Sequence, residues 1–257
     1  MFSKKVAKVL ILVLVFVFAA AMTVVAAPLK GEAIGGSANI DGEIEAAWDA
    51  AEALSLELIT GVTTDSVVAK TMWTETNLYV LVEVTDDVLD DTAANIWERD
   101  SVEIYIDQNN AKTPTYQDDD MQLRVNFKNE VSSGGAYFEA VRDNIITATK
   151  IVDGGWILEV SIPWTIVEAE QGTIIGFDLQ YNDASGGARP GMLKWNDTTD
   201  TAWNNTSVFG NLEFVAAVAA VLPKTGASIP VYILYVLAAL LLIGGIVLQV
   251  RKLTLSK

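Results

Sequence analysis

Polar and apolar side chains alternate along three short segments, residues 101–107, 121–127 and 177–183. Their polar members include a carboxylate, a guanidinium and three amides, namely Glu103, Gln122, Arg124, Gln180 and Asn182. Planar amides and an arginine fork can hydrogen-bond pairs of neighbouring hydroxyl groups, so this combination predicts a surface for a hydroxyl-rich ligand. The alternative is three solvated sheet faces, but such faces favour Lys, Glu and Thr over repeated amides.

Two of the seven tryptophans lie in polar stretches. Trp97 stands just before the Glu103 segment, and Trp203 lies within the polar run 198–205. A loop tryptophan without an apolar neighbourhood indicates contact with a ligand, and its flat face could stack on a sugar ring. Trp195 fits either role. The other four fall in or beside apolar patterns and are predicted core residues: Trp48, Trp73, Trp156 and Trp164.

The composition excludes several classes of function. The chain has no histidine and no cysteine, which removes the commonest general base, the commonest zinc ligand and any disulfide. The same absence argues against a haem-binding or electron-transfer module. All 33 acidic residues lie between Pro28 and Thr225, where 11 of the 17 basic residues also lie, so this part carries a formal charge of −22. Such a surface repels nucleic acid and suits a soluble extracellular protein with a neutral ligand or calcium.

Short acidic runs occur at 86–87, 90–91 and 118–120. They could be solvated acidic loops, or they could hold calcium through carboxylates and backbone carbonyls. The spacing of an EF-hand loop is not present, so the runs by themselves assign no ligand set.

The elements that must position these residues are predicted to be strands. Short alternating runs are separated by turn signals such as Asn109-Asn110, Asp153-Gly154-Gly155 and Ser185-Gly186-Gly187. This pattern predicts one all-β domain over residues 34–215, an antiparallel β-sandwich of jelly-roll or immunoglobulin-like type, with a short helix at 43–53. The predicted strands are 63–73, 77–85, 101–108, 121–127, 137–142, 145–152, 156–163, 174–183 and 192–196.

Residues 1–27 have the pattern of a signal peptide. Lys4, Lys5 and Lys8 precede an apolar run from Val9 to Val25, and the small residues Ala26 and Ala27 follow it. The alternative is an uncleaved membrane anchor, because the run approaches the shortest length that spans a bilayer.

The C-terminal region combines three signals in order. Residues 222–226 read Leu-Pro-Lys-Thr-Gly within a spacer at 216–228, an apolar run at 229–250 is long enough to cross a membrane as a helix, and a basic tail occupies 251–257. Together they resemble a sortase cell-wall sorting signal. The resemblance implies that a sortase cuts between Thr225 and Gly226, joins Thr225 to a peptidoglycan precursor and leaves the protein on a Gram-positive type of cell wall. The alternative is an ordinary C-terminal membrane helix.

The middle of the chain resembles a family 9 carbohydrate-binding module of the type attached to bacterial xylanases. The matching stretches run in order and cover this whole region: Ile40-Asp41-Gly42 with Trp48, Asn77-Leu78-Tyr79-Val80 leading to Asp86, Trp97 to Asp107, Asp118 to Asn126, Gly176 to Asp183, and Trp195 through Trp203 to Leu212. The segment Trp-Glu-Arg-Asp-Ser-Val-Glu-Ile-Tyr-Ile-Asp at 97–107 is the most diagnostic.

The resemblance implies roles for particular residues. Trp97 and Trp203 match two tryptophans that form a slot around the reducing-end sugar of a xylan or cellulose-type chain, and Glu103 and Arg124 match polar contacts of that slot. Structural calcium is also implied, with Asp86 at a matching acidic position. Asp200 departs from the family pattern, which has an amide three residues before the second tryptophan, and this leaves the preferred sugar open.

The sequence therefore predicts a surface-anchored protein that binds a polysaccharide or oligosaccharide without a catalytic domain of its own. Two alternatives stay open at this point. One is a glycoside hydrolase or an accessory component of xylan catabolism, with Glu103 and either Asp107 or Glu98 as the carboxylate pair. The other is a structural adhesin that binds protein.

Overall fold

The computed structural model describes residues 27–217, which contain 13 β-strands. The strands are β1 Lys30–Gly35, β2 Leu54–Ser55, β3 Leu58–Gly61, β4 Ser66–Trp73, β5 Asn77–Thr85, β6 Ser101–Asp107, β7 Asp120–Asn126, β8 Val131–Gly134, β9 Ile146–Val152, β10 Gly155–Pro163, β11 Ile174–Ser185, β12 Ala188–Lys194 and β13 Gly210–Val215. Helical structure within these residues is short. It comprises α1 Ala136–Val141 and 3-10 helices at Ala46–Ala50, Ile96–Glu98, Arg142–Asn144 and Thr206–Val208.

Hydrogen bonds connect the strands into one curled sheet. Its main path runs β8-β7-β6-β11-β13-β1-β4-β5-β10-β9, while β12 pairs with β11 and β3, and β2 pairs with β4. Most pairs are antiparallel, but β1 lies parallel to both β13 and β4. The prediction of an all-β domain is therefore confirmed.

One hydrophobic core joins the two halves of the sheet. Val102, Ile104 and Ile106 of β6 pack in the same cluster as Val80 and Val82 of β5. Because alternate residues of a strand point to opposite faces, Glu103 and Tyr105 must lie on the other face of β6. That face is also buried, since every residue of β6 is shielded from solvent.

Most predicted strands are found within a few residues of their expected ends, but the strand predicted at 137–142 is wrong. This segment forms α1, in which Tyr137 and Val141 are buried four residues apart on one helix face. Gly135 precedes it with φ of +97°, and a Cβ there would lie 2.3 Å from the Asp120 carbonyl oxygen. The helix predicted at 43–53 is present only as the single 3-10 turn at Ala46–Ala50.

Between residues 27 and 217, no helix is long and apolar enough to cross a membrane. The predicted signal peptide falls almost wholly outside the described residues, and so do Thr225, Gly226, the apolar span at 229–250 and the basic tail at 251–257.

Candidate functional site

A cleft of about 490 Å³ opens above the polar face of β6, β7, β11 and β12. It brings together seven of the eight residues that the sequence predicts for ligand binding, and it adds two that were not predicted. The predicted residues are Trp97, Glu103, Gln122, Arg124, Gln180, Asp200 and Trp203; the two others are Tyr105 and Arg189.

Strand register explains why residues distant in sequence meet here. Glu103 of β6 lies directly opposite Arg124 of β7 on one side and opposite Gln180 of β11 on the other. Two residues further along β6, Tyr105 lies opposite Gln122. Because directly opposed residues share a sheet face, these polar side chains form one continuous floor.

The Glu103 carboxylate is the centre of this floor, and it is only 2% exposed. Its Oε1 accepts hydrogen bonds from Arg124 Nε at 2.9 Å and from Asn182 Nδ2 at 2.8 Å. Its Oε2 accepts from Gln122 Nε2 at 2.6 Å and from the Tyr105 hydroxyl. Four donors therefore fix both oxygens of one buried carboxylate.

These donors decide the charge of Glu103. Burial by itself would raise the pKa of Glu103, but the Arg124 guanidinium and the hydrogen bonds from Tyr105, Arg124 and Asn182 outweigh burial and lower it. Burial and the Glu103 charge raise the pKa of the Tyr105 hydroxyl well above its usual range, so this hydroxyl stays a donor. A carboxylate held ionised in this way is an acceptor, and it is poorly suited to act as an acid.

Asn182 was predicted to contact the ligand, but the structure places it beneath the cleft surface. It is fully buried, and its Nδ2 also donates to Ser101 Oγ at 3.1 Å. Its Oδ1 accepts from Gln180 Nε2 at 2.8 Å and from Arg189 Nη1 at 2.7 Å. Asn182 therefore connects the side chains that line the cleft instead of lining it.

The two predicted slot tryptophans are the exposed aromatic rings of the cleft. Trp97 lies in the 3-10 helix Ile96–Glu98 and is 48% exposed, whereas Trp203 lies in the loop after β12 and is 58% exposed. Trp195, for which the sequence left both roles open, is buried and packs edge-on against Phe177 at 5.9 Å between ring centroids. Trp48 and Trp156 are buried and Trp73 and Trp164 are partly buried, as predicted for core residues.

Buried Asp197 shapes the loop that carries Trp203. Its Oδ1 accepts from Thr199 N at 2.6 Å, and its Oδ2 accepts from Thr201 N at 2.8 Å and Ala202 N at 2.9 Å. Burial alone would raise the pKa of Asp197, but these hydrogen bonds and one from the Thr199 hydroxyl hold it below its usual range. The carboxylate thus replaces the backbone partners that a tight loop lacks.

Asp200, at the tip of this loop, has φ of +60°, a left-handed conformation that aspartate tolerates better than most residues. Its Oδ1 accepts from Lys194 Nζ at 2.8 Å, and the Lys194 side chain is 2% exposed. Asp200, the residue that departs from the family pattern, therefore forms an ion pair with a buried lysine.

Three residues of the site were not identified from the sequence. Tyr105 could have been found, because it alternates with Glu103 on the same strand face. Arg189 could not, because it lies outside the strand predicted at 192–196, whereas β12 runs over Ala188–Lys194 and pairs with β11. Lys194 lies inside the predicted strand, but alternation alone does not reveal its ion pair with Asp200.

A separate acidic pocket of about 420 Å³ surrounds Asp86, the predicted calcium ligand. Asp65 and Asp183 also line it, and within the described residues no lysine or arginine does. Asp86 Oδ1 accepts from Val88 N at 2.7 Å and Oδ2 from the Tyr181 hydroxyl at 2.6 Å. Burial, followed by the charges of Asp86 and Asp183, raises the pKa of Asp65 to about 7. Carboxylates clustered in this way have the donor chemistry that calcium prefers.

A second acidic group is formed by Asp107, Asp119 and Asp120, whose carboxylate oxygens lie within 4.8 Å of one another. All three are buried. Backbone amides of the loop after β6 donate to them, including Lys112 N to Asp107 Oδ2 at 2.8 Å and Asn109 N to Asp119 Oδ2 at 3.0 Å. These hydrogen bonds hold the loop after β6 and already stabilise part of the negative charge of the three carboxylates.

Known proteins share this domain. The chain is 42% identical over 195 residues to "Exoglucanase XynX" of Acetivibrio thermocellus, a match over 75% of this chain and 18% of the relative. It is also 42% identical over 184 residues to "Endo-1,4-beta-xylanase A" of Thermotoga neapolitana, which covers 70% of this chain and 17% of the relative. This chain thus spans less than a fifth of the length of either curated relative.

A solved structure covers the domain more completely. It is a family 9 carbohydrate-binding module from Caldicellulosiruptor kristjanssonii in complex with cellotriose, with a TM-score of 0.69, 31% identity, and coverage of 76% of this chain and 98% of that one. The same module has been solved with glucose. The shared region is thus a binding module and not a catalytic domain, which confirms the prediction of a binding module. Residues 40–217 match the carbohydrate family 9 binding domain-like family, and the chain belongs to that family.

Proposed function

We propose that this protein binds the reducing end of a xylan or cellulose-type β-glycan in the cleft between Trp97 and Trp203. The observation that carries the proposal is the ionised Glu103 carboxylate, fixed by four donors at the floor of a cleft with two exposed indole rings. Flat aromatic faces suit the C–H faces of a pyranose ring, and the amide and guanidinium groups that Glu103 holds in place suit its hydroxyl groups. Carbohydrate binding itself follows from membership of the family.

The side chains around Glu103 supply the complementary chemistry. Gln122 and Gln180 present amides that can both donate and accept, whereas Arg124 only donates. Arg124 is already oriented, because its Nη1 donates to Ser132 Oγ at 2.9 Å. Such preorganised groups lower the entropy lost when a flexible sugar binds.

The relatives support this choice of ligand class. They are named as an exoglucanase and an endo-1,4-β-xylanase, and the solved module holds cellotriose. All three names refer to β-glucan or xylan. We expect this chain to bind oligosaccharides of the same two polymers and so to serve polysaccharide breakdown by other enzymes.

Isothermal titration of the full chain tests the proposal, in a detergent without a sugar headgroup so that the cleft stays free. The ligands are cellobiose and xylobiose, each compared with its borohydride-reduced form. We expect the native disaccharides to bind and the reduced ones to bind at least tenfold more weakly, because reduction opens the terminal ring that the tryptophans hold. Equal binding of both forms would reject the reducing-end preference, and no binding of either would reject the cleft.

A calcium ion in the pocket around Asp86 is the second part of the proposal. Asp65, Asp86 and Asp183 provide the oxygen donors. Burial, and after it the charges of Asp86 and Asp183, raises the pKa of Asp65, and a bound cation would offset the repulsion among these carboxylates. The ion would tie the segment after β5 to β11, which also carries Gln180 and Asn182. Its role would be structural.

We also propose that the curled sheet is a β-sandwich. Its support is the shared core, to which β4, β5 and β10 contribute from one half and β6, β7 and β11 from the other. A crystal structure with two facing layers about 10 Å apart would agree with this classification, whereas a single open layer would reject it.

Attachment to the cell surface completes the proposal. The support is the order of signals at the C-terminus, in which Leu-Pro-Lys-Thr-Gly is followed by an apolar span and a basic tail. In a Gram-positive host with a housekeeping sortase, we expect the protein in the cell-wall fraction. A Thr225→Ala variant should move to the membrane fraction, while the neighbouring Ser228→Ala variant should not. An unchanged wall fraction for Thr225→Ala would refute sortase attachment.

A further inference from the structure

The charged side chains of the cleft do not cancel one another. Glu103 pairs with Arg124 at 2.9 Å, and Asp200 pairs with Lys194 at 2.8 Å. Arg189 also lines the cleft, but no described carboxylate lies within 4 Å of its guanidinium. The cleft and the lysine beneath it thus carry one positive charge in excess.

Arg189 is fixed in place through one of its nitrogens. Its Nη1 donates to Asn182 Oδ1 at 2.7 Å and to the Trp97 carbonyl oxygen at 3.2 Å. Among the described residues, no acceptor is bound to Nε or Nη2. In a guanidinium these two nitrogens form one fork of parallel N–H groups, which matches the two oxygens of a carboxylate.

The location of this charge is unexpected for so acidic a domain. Residues 27–217 contain 33 acidic and ten basic residues, so the excess positive charge of the cleft is opposite in sign to the charge of the domain as a whole. The long-range field of this surface repels anions, but salt screens it beyond about 8–10 Å. A carboxylate that reaches the cleft therefore responds mainly to the groups that line it.

We infer that the Nε–Nη2 fork of Arg189 receives the carboxylate of a hexuronic acid, and that the cleft prefers acidic sugars over their neutral counterparts. This inference rests on the proposed function, since it assigns a substrate class to the same cleft. It also gives β12 a role in recognition, because Arg189 links the ligand carboxylate to the main chain of Trp97 and to the Asn182 network.

Glucose and glucuronic acid form the sharpest test, because they differ only at C6. Isothermal titration of the full chain in a detergent without a sugar headgroup should show glucuronic acid binding about tenfold more tightly than glucose at low salt. This advantage should shrink at 0.5 M NaCl, because an ion pair at a solvent-accessible cleft is screened.

Two variants test whether the Nε–Nη2 fork of Arg189, and not positive charge in general, favours glucuronic acid. Arg189→Gln should abolish the advantage of glucuronic acid, whereas Arg142→Gln, which removes an exposed arginine paired with Glu139, should leave it unchanged. Equal or weaker binding of glucuronic acid to the native chain would overturn the inference while leaving neutral sugar binding intact. If neither sugar bound, nor cellobiose nor xylobiose, the proposed function itself would fail.

Discussion

Arg124 stands directly across the β6–β7 pair from Glu103, and its Nε donates to Glu103 Oε1 over 2.9 Å in a buried setting. The pair belongs to both the fold and the cleft, because both side chains line the cleft. Removing either partner leaves a buried charge without compensation, which is more costly than replacing both by apolar groups.

Glu103→Ala is therefore expected to lower the free energy of unfolding by about 3 kcal/mol and to abolish sugar binding. The double variant Glu103→Leu, Arg124→Met should recover part of this stability without recovering binding. Urea denaturation followed by tryptophan fluorescence measures the first quantity and isothermal titration the second. A double variant no more stable than Glu103→Ala would contradict the role given to the buried pair.

Trp97→Ala and Trp203→Ala should each weaken cellobiose binding more than tenfold, because each removes a ring that we propose to stack on the sugar. Both rings are about half exposed, so the melting temperature should change little. Ile151→Ala is the matched control, since Ile151 is 58% exposed on β9, at the far end of the sheet path. Unaltered affinity in both tryptophan variants would exclude the slot.

Asp197→Ala should weaken sugar binding although Asp197 does not line the cleft. The variant removes the acceptors for Thr199, Thr201 and Ala202, and so it releases the loop that holds Trp203 and Asp200. We expect a loss of more than tenfold in affinity, with Asp197→Asn intermediate because its amide keeps one acceptor oxygen. Identical affinities for all three proteins would show that the loop keeps its shape without this carboxylate.

Calcium should raise the melting temperature of the native domain, and EDTA should lower it. Asp86→Asn should remove most of this difference, because it replaces one carboxylate of the proposed site by a neutral amide. Asp143→Asn is the control, since its side chain is 97% exposed and away from the pocket. A melting temperature that does not respond to EDTA would argue that the acidic pocket is merely hydrated.

Asp178 should make stability depend on pH. Burial raises its pKa to about 7, although Leu179 N and Asn196 N donate to its Oδ1. A folded-state pKa above the ordinary 3.8 contributes stability that is fully present below pH 3.8, declines as the pH rises and is lost above about 7. In EDTA, the melting temperature should fall by about 5 °C from pH 5 to pH 8, and Asp178→Asn should reduce this slope. Part of the slope should persist, because the pKa of Asp65 is also raised to about 7. An equal slope in both proteins would assign it to other carboxylates.

Local alternation was sufficient to predict most strands and the polar face of the cleft. The alternation of polar and apolar residues around Glu103, Arg124 and Gln180 is easy to recognise, because each strand has an apolar face toward the core. Short segments were harder, since β2 and β3 contain only two and four residues. The segment from Tyr137 to Val141 was also misassigned, because periodicity does not distinguish a helix from a strand over so few residues.

The contacts that complete the site depend on long-range pairing, which alternation does not reveal. Arg189 reaches Trp97 across 92 positions, and Tyr181 reaches Asp86 across 95. Asp183 joins Asp65 and Asp86 only because β11 passes the end of β5 in three dimensions. The resemblance to the family supplied Asp86 and the slot role of the two tryptophans, whereas Lys194 and Arg189 required the register of β12.

The parallel pairing of β1 with β13 has a mechanical consequence. β13 lies between β1 and β11, and Gly176 and Phe177 of β11 are directly opposite Asn211 and Gly210. A pulling force on a ligand at Gln180 therefore passes along β11 into β13 and leaves the domain after Val215. Because β13 is hydrogen-bonded on both sides, such a force acts in shear on two ladders at once, and extraction of the strand requires many bonds to break together.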